Sequence, residues 1–191
     1  MLRKILEWDR EFFIYLNSLG IEQYDGLWSL ATNITTWIPL FILFLVLLLR
    51  AYPGRKGIVL SFSVVLLAIV VLLTTELTKE YIARLRPNNN ADINTLIRIL
   101  VSPQGYSFFS GHAASSFSIT TLMVCYLHKK YPWAWAFFLW PLIFSFSRIY
   151  VGVHYPTDIL VGALVGISLA VVFNKIFSGI TVPYSGSGHP G

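Results

Sequence analysis

Long apolar stretches alternate with short polar ones along the whole chain. A helix needs roughly 20 apolar residues to cross a bilayer, and five uncharged stretches approach that length: Gly26–Leu49, Gly57–Thr75, Phe109–Leu127, Tyr131–Phe146 and Ile159–Phe173. The last two are the shortest. The pattern predicts an all-α fold, a polytopic membrane helix bundle with about five transmembrane helices.

The N-terminal stretch has a different pattern, because its apolar residues repeat at helical spacing on one side only. That side carries Met1, Ile5, Trp8, Phe12 and Leu19, whereas charged residues lie mostly on the other, namely Arg3, Lys4, Glu7 and Glu11. The acidic residues and the absence of a small-residue cleavage site are not typical of a signal peptide. We predict an interfacial amphipathic helix that ends near Gly20.

Composition indicates a single membrane domain, which we assign to residues 1–178. The 191 residues are 55% hydrophobic and 12% charged, which is too apolar for an ordinary soluble domain. The closing sequence "SGSGHPG" has the composition of a flexible linker or a cloning remnant, so residues 179–191 are predicted to be a tail and His189 is left out of the chemistry. The single Cys125 excludes an intramolecular disulfide.

The net charge of +5 comes from basic residues that are scattered along the chain, so we predict no nucleic-acid partner. One group lies between the first two spans, between the third and fourth, and after the last: Arg50, Arg55, Lys56, His128, Lys129, Lys130 and Lys175. The positive-inside rule places these loops in the cytoplasm, provided that the cations of the opposite side bind a ligand. We therefore predict a protein of the bacterial inner membrane whose active face lies in the periplasm.

Three polar stretches lie on that outer side. In "KEYIARLRP", Lys79 and Arg86 are about two helical turns apart, so one helix would point both the same way before Pro87 ends it. In "FSGHAAS", the small residues Ser110 and Gly111 open the third span. The start of a helix offers free backbone N–H groups, and this one is predicted to bind an anion.

The third stretch, "SRIYVGVHYPTD", supplies Arg148, His154 and Asp158. Fixed cations and helix N–H groups suit the several oxygens of a phosphate. Because Asp158 lies four residues after His154 and can fix its tautomer, we assign His154 as the nucleophile that attacks phosphorus. His112, at the phosphate-binding turn, is assigned as the general acid.

Each of these residues also has a structural interpretation. Lys79 and Arg86 could anchor helix ends at the interface, and Glu76 or Glu80 could pair with Lys79. Asp158 could cap the last helix. Ionisable residues are costly inside membranes, however, and nearly all of them cluster at one level of one side, which favours a functional site.

Two alternatives from other functional classes remain. His112, His154 and Asp158 could hold a metal ion, although the neighbouring cations oppose it. A membrane protein that binds or transports anions or phospholipids without hydrolysis would also place charge inside the membrane.

The motifs Lys79-x6-Arg86-Pro87, Phe109-Ser110-Gly111-His112 and Ser147-Arg148-x5-His154-x3-Asp158 resemble, in the same order, the three signatures of the type 2 phosphatidic acid phosphatase superfamily. These are membrane lipid phosphatases that share an active-site design with vanadium haloperoxidases, which are soluble and therefore do not fit this apolar chain. Phe109 stands where the family usually has proline. The family commonly has six spans, whereas an interfacial helix replaces the first one here.

The resemblance implies a phosphohistidine on His154, with Asp158 as its partner and His112 as acid. The residues around the phosphate would be Lys79, Arg86, Ser110, Gly111 and Arg148, with no cofactor and no metal. The implied substrate is a membrane lipid phosphate: undecaprenyl diphosphate or phosphatidylglycerophosphate is favoured, and phosphatidic acid and lipid A phosphates also fit. Arg84 and Arg98 are predicted to frame the head group.

Overall fold

The computed structural model describes residues 2–181, and within this range every regular element is helical. Its α-helices are α1 (Leu2–Ser18), α2 (Asp25–Ala31), α3 (Ile38–Ala51), α4 (Arg55–Ile82), α5 (Gly111–Leu127), α6 (Leu139–Tyr150) and α7 (Pro156–Thr181). Short 3-10 turns lie at Glu22–Tyr24, Ile34–Trp37, Pro87–Asn89 and Pro132–Phe138. The predicted tail lies outside the described residues from residue 182 onward.

By length and apolar composition, three helical segments of the described chain are able to cross a membrane: Ile34–Ala51, Arg55–Asn89 and Pro156–Phe177. Large apolar side chains on α3, α4 and α7 point outward, including Leu45, Phe62, Leu72, Leu160 and Val172. Such an apolar outer surface suits lipid as solvent. The all-α membrane fold is therefore confirmed, and the total of five crossings stays a prediction.

The first predicted span, Gly26–Leu49, is interrupted. The helix α2 ends at Ala31, and α3 begins at Ile38. Between them the side chain of Asn33 accepts a hydrogen bond from the Thr35 N–H at 3.0 Å and opens a 3-10 turn. Because of this polar cap, a new helical segment begins inside a stretch that hydropathy alone would assign to one continuous helix.

The second predicted span is extended instead, because α4 continues to Ile82. Ala83 then takes a left-handed conformation, with a φ of 50°, and its N–H closes the helix on the carbonyl of Lys79 at 2.9 Å. Arg86 lies beyond this end in extended backbone. The prediction that one helix face carries both Lys79 and Arg86 is therefore wrong.

Helix α5 forms the centre of the bundle and packs most closely on α7. Two glycines one turn apart make this approach possible: a Cβ at Gly162 would lie 2.6 Å from the Ser110 carbonyl oxygen, and one at Gly166 would overlap the Ala114 carbonyl. Small residues are the usual means by which membrane helices approach each other closely. The contact fixes the start of α5 against the start of α7.

Helix α1 is the predicted N-terminal helix, and it leaves Ile5, Trp8 and Phe12 exposed. The sequence predicts one apolar side and one charged side for α1. The structure shows a further face that is packed against the protein, on which Asp9, Phe13 and Asn17 are fully buried. The Asn17 amide donates to the carbonyl oxygens of Arg98, Ile149 and Tyr150 at 3.0–3.1 Å. Polar as well as apolar contacts thus hold α1 against the end of α6.

The basic loops meet at one end of the bundle, since the Lys130 ammonium donates to the Ala51 carbonyl and lies 4.5 Å from the Tyr52 ring centroid. This end contains the start of α4 and the end of α5. The end of α4 and the start of α5 lie at the opposite end, where the candidate active-site residues are found.

Candidate active site

His154 lies in the short loop between α6 and α7 and is 2% exposed. The loop turns at Gly152, whose φ is 86° and whose position leaves no room for a Cβ beside the Arg98 carbonyl. Nδ1 of His154 lies 3.4 Å from Oδ2 of Asp158, in the first turn of α7. The same Oδ2 accepts the Tyr155 N–H at 2.9 Å. Asp158 therefore holds both the ring and the loop that carries it.

The other ring nitrogen of His154 lies 3.1 Å from the Arg86 guanidinium. Because arginine only donates, we assign the lone pair to Nε2 and the ring proton to Nδ1, which faces Asp158. Burial lowers the pKa of His154 from 6.5 to about 4, although Asp158 acts in the opposite direction. The imidazole is therefore neutral at pH 7, as a nitrogen nucleophile must be.

Arg86 and Arg148 place two guanidinium groups beside this ring, and each is only 6% exposed. Their contacts are with neutral groups: Arg86 donates to the Val153 carbonyl at 3.4 Å and to His154, and Arg148 donates to the Thr32 hydroxyl. Among residues 2–181, the Nε atom of each arginine is buried without a hydrogen-bond partner. Buried donors of this kind suit an anionic ligand.

The start of α5 approaches from another side. Ser110 caps the helix by accepting the Ala113 N–H at 3.4 Å, and its own N–H donates to the Asp158 carbonyl at 3.0 Å. A Cβ placed on Gly111 would lie 4.0 Å from Nζ of Lys79, which is an ordinary contact distance, so this lysine lies next to the helix start. The free N–H groups of the first turn and the ammonium thus face the same space.

His112 is the residue at which these parts converge. Its ring packs 4.8 Å from that of Phe144, and the charges of Arg148, His154, Lys79 and Arg86 all act on it. The structure therefore brings together the predicted set, namely Lys79, Arg86, Ser110, Gly111, His112, Arg148, His154 and Asp158.

The other two predicted residues, Arg84 and Arg98, are held by carboxylates of the protein. Arg84 forms ion pairs with Asp158 and Asp9, both at 2.7 Å. Arg98 donates to both oxygens of Asp25 at 2.6 Å, outside the catalytic loop. Their assignment as head-group contacts stays a prediction, and their guanidinium groups already have anionic partners.

Asp9 and Thr32 were not identified as site residues from the sequence. Asp9, Phe13 and Asn17 repeat every four residues along α1, so the sequence did contain a signal for a buried face with polar ends. Thr32 comes from the segment between α2 and α3 and reaches Arg148 only through the tertiary fold.

In the part of the chain that the structure describes, metal-ligating side chains are not grouped at this site. Within residues 2–181, His, Cys, Asp and Glu side chains form no group of three or more that could hold a metal ion. The carboxylate oxygens of Asp158 are taken by Arg84, Tyr155 and His154.

A family model of the PAP2 superfamily matches residues 57–181, which include nearly all of α4, the whole of α5, α6 and α7, and every predicted catalytic and phosphate-binding residue. The chain belongs to the PAP2 superfamily. The fold is similar to that of the solved transmembrane PAP2-type phosphatidylglycerolphosphate phosphatase of Bacillus subtilis, with a TM-score of 0.74 at 19% identity over 93% of this chain and 88% of that one. LpxE of Aquifex aeolicus superposes with a TM-score of 0.61 at 25% identity, over 86% of this chain and 93% of that one.

Two curated relatives of this PAP2 chain are named as phosphatases. The lipid A 4'-phosphatase of Porphyromonas gingivalis is 28% identical over 91% of this chain and 74% of its own length. The undecaprenyl-diphosphatase of Sulfolobus acidocaldarius is 31% identical over 82% of this chain and 72% of its own length. The predicted family and the hydrolase class of its members are thereby confirmed.

Proposed function

We propose that the protein is an integral membrane phosphatase that removes phosphate from a phosphorylated lipid through a phosphohistidine on His154. The observation that carries this proposal is the space around Nε2 of His154. The Arg86 guanidinium lies 3.1 Å from this nitrogen, the charge of Arg148 also acts on the ring, and neither arginine has a carboxylate in hydrogen-bond contact, while Asp158 holds the opposite nitrogen.

In the first step, Nε2 of His154 attacks phosphorus, and the bond from phosphorus to the lipid oxygen breaks. The departing oxygen takes a proton from His112, which must carry it when the phosphate is bound. Asp158 stabilises the positive charge that develops on the His154 ring. Arg86, Arg148, Lys79 and the N–H groups at Gly111 neutralise charge on the phosphoryl oxygens.

In the second step, water attacks phosphorus and gives its proton to His112. The bond between nitrogen and phosphorus breaks, and phosphate leaves. Both steps use only groups of the protein, the substrate and water, so we propose that the reaction needs no metal ion.

The chemistry common to the relatives is a phosphate ester or a diphosphate on a membrane lipid, and we propose this class as substrate. The outward-facing apolar side chains of α3, α4 and α7 keep the protein in the bilayer, next to such a lipid. The clustered basic loops at the opposite end support an active face in the periplasm, by the positive-inside rule.

The test is phosphate release by the purified protein in detergent with excess chelator. The panel contains undecaprenyl diphosphate, phosphatidylglycerophosphate, phosphatidic acid and lipid A. We expect release from at least one lipid and none from His154→Ala. His128→Ala is the matched control, because His128 lies at the far end of α5, with Nδ1 2.9 Å from the Val124 carbonyl oxygen.

Trapping the intermediate tests the mechanism separately. After rapid alkaline quenching with a labelled substrate, the wild-type protein should retain labelled phosphate that acid then removes, since a phosphoramidate is acid-labile. Substantial turnover by His154→Ala would contradict the nucleophile, and activity that chelator abolishes would contradict the metal-free reaction. Binding of the lipids without release would favour an anion-binding or transport protein.

A further inference from the structure

Helix α1 supplies a buried carboxylate to the start of α7. Asp9 is 0% exposed, and its Oδ1 accepts the Thr157 N–H at 2.9 Å. Its Oδ2 accepts the Thr157 hydroxyl at 2.6 Å and the Arg84 guanidinium at 2.7 Å. A carboxylate at this point satisfies a free N–H of the first turn of α7 and interacts favourably with the helix dipole.

Arg84 then connects this carboxylate to the one that holds His154. One guanidinium nitrogen donates to Asp9, and the other donates to Oδ1 of Asp158 at 2.7 Å. The guanidinium carbon lies 3.9 Å from the centroid of the Tyr155 ring. The guanidinium of Arg84 is thus held by hydrogen bonds from two of its nitrogens and by the Tyr155 ring against its face, which fixes both its position and its orientation.

Each atom of the Asp158 carboxylate therefore has a defined task. Oδ1 is fixed by Arg84, and Oδ2 receives the Tyr155 N–H and faces Nδ1 of His154. Without Arg84, Oδ1 would lose its guanidinium partner, and the Tyr155 N–H on Oδ2 would be left as the short contact that orients the carboxylate. The distance to the ring is already long, at 3.4 Å, so a small rotation would break the hydrogen bond.

We propose that Asp9 and Arg84 are positioning residues for the nucleophile: α1 fixes Arg84, Arg84 fixes Asp158, and Asp158 sets the direction and the proton position of the His154 ring. The catalytic meaning of this inference rests on the proposed function. It gives the N-terminal helix a part in the reaction, in addition to any contact with the membrane surface.

Enzyme kinetics test the inference. Arg84→Lys keeps the charge, but an ammonium cannot reach both carboxylates in the same geometry. Asp9→Asn keeps the shape and removes the charge. We expect each variant to lower kcat by about tenfold or more and to change KM less than threefold, because the phosphate contacts remain while the direction of attack is lost.

Two control variants separate positioning from docking of α1. Arg10→Gln breaks the neighbouring ion pair from α1 to Asp92, 3.5 Å long, which touches neither Thr157 nor Asp158. Asn17→Ala removes the amide contacts that dock α1 on the end of α6. Both should keep kcat within twofold, and Asn17→Ala should lower Tm. If Asp9→Asn and Arg84→Lys lower Tm as Asn17→Ala does but keep kcat within twofold, the inference is overturned.

A measurement that needs no turnover separates this inference from the proposed function. Nitrogen NMR of labelled histidines in micelles, assigned with His154→Ala, reports the proton position on the His154 ring. We expect Asp9→Asn to shift the His154 ring signals although Asp9 does not touch the ring, and Arg10→Gln to leave them in place. Unchanged signals in Asp9→Asn overturn the inference. Shifted signals in a protein that hydrolyses no lipid would uphold the coupling and contradict the proposed function.

Discussion

Two pairs of arginines lie around the end of α6 and the start of α7, and they differ in which groups contact their guanidinium nitrogens. Arg86 and Arg148 are buried and contact only neutral groups of the protein. Arg84 and Arg98 form short ion pairs with the carboxylates of Asp9, Asp158 and Asp25. The same residue type thus occurs with and without a carboxylate in direct contact within one region of the molecule.

The difference indicates that one pair binds a ligand and the other pair has a structural role. Burying a charge without a partner is unfavourable, so a fold keeps such a group where a ligand supplies the opposite charge. An arginine whose N–H donors already bind carboxylates has few donors free to bind a phosphate. Its ion pairs instead hold the neighbouring loops in place. We therefore expect the first pair to control catalysis and the second to control geometry and stability.

Arg148→Gln should give the largest effect. Losing one cationic donor to a phosphoryl group in its transition state should lower kcat/KM by about 10²–10³. Tm should stay the same or rise, because the substitution also removes an uncompensated buried charge. Phosphate release and a thermal melt of the same preparation measure both. A large drop in Tm with activity retained would assign Arg148 to the structural pair and break the comparison.

The pH dependence tests the unbalanced pair in another way. The pKa of His154 is lowered to about 4, chiefly by burial and further by the charges of Arg86 and Arg148. Protonated His154 cannot attack, so we expect an acid limb in which kcat/KM falls about tenfold per pH unit below pH 4, after correction for substrate ionisation. Arg148→Gln should move this limb to higher pH, whereas Arg98→Gln should leave it in place.

The free energy of unfolding should also decrease as the pH is lowered. The unfolded chain binds a proton at His154 near its ordinary pKa of 6.5, and the folded protein does so only near 4. The unfolded state therefore binds more protons between these values, and the free energy of unfolding from this residue falls as pH drops through that window. His154→Gln should reduce the fall. If the free energy of unfolding of the wild type did not fall between pH 6.5 and pH 4, the folded protein would protonate His154 near its ordinary pKa, and the ring would not be held neutral.

The motifs could be predicted from the sequence because their chemistry is local. Ser110, Gly111 and His112 share one helix start, and His154 and Asp158 share one short loop and the following turn. The partners of Arg84 and Arg148 could not be predicted in this way, because Asp9 and Thr32 reach them through tertiary contacts. The sequence also predicts that α4 continues to Pro87, whereas the helix ends at Ile82. The next residue, Ala83, adopts a left-handed conformation, which an alanine does not indicate in the sequence.

Arg98→Gln should have a moderate effect, mainly on stability. It removes the paired hydrogen bonds to Asp25, in a region where Tyr150 also donates to Asp25 at 2.9 Å. We expect a Tm lower by about 2–4 °C for each kcal/mol lost, and kcat/KM within fivefold of the wild type. A hundredfold loss of activity with unchanged Tm would instead support Arg98 as a head-group contact.

Glu76→Gln should have the smallest effect, and it tests a cation that belongs to neither pair. Lys79 is paired with Glu76 at 2.7 Å, but the Glu76 side chain is 65% exposed, so the pair is screened by water and contributes little. The lysine remains directed toward Gly111 by the packing of α4 on α5. We expect kcat/KM and Tm within error of the wild type, whereas Lys79→Gln should lower kcat/KM at least tenfold. If the two variants instead lose activity equally, Lys79 depends on Glu76 for its position and is the third cation of this region with an internal counter-charge.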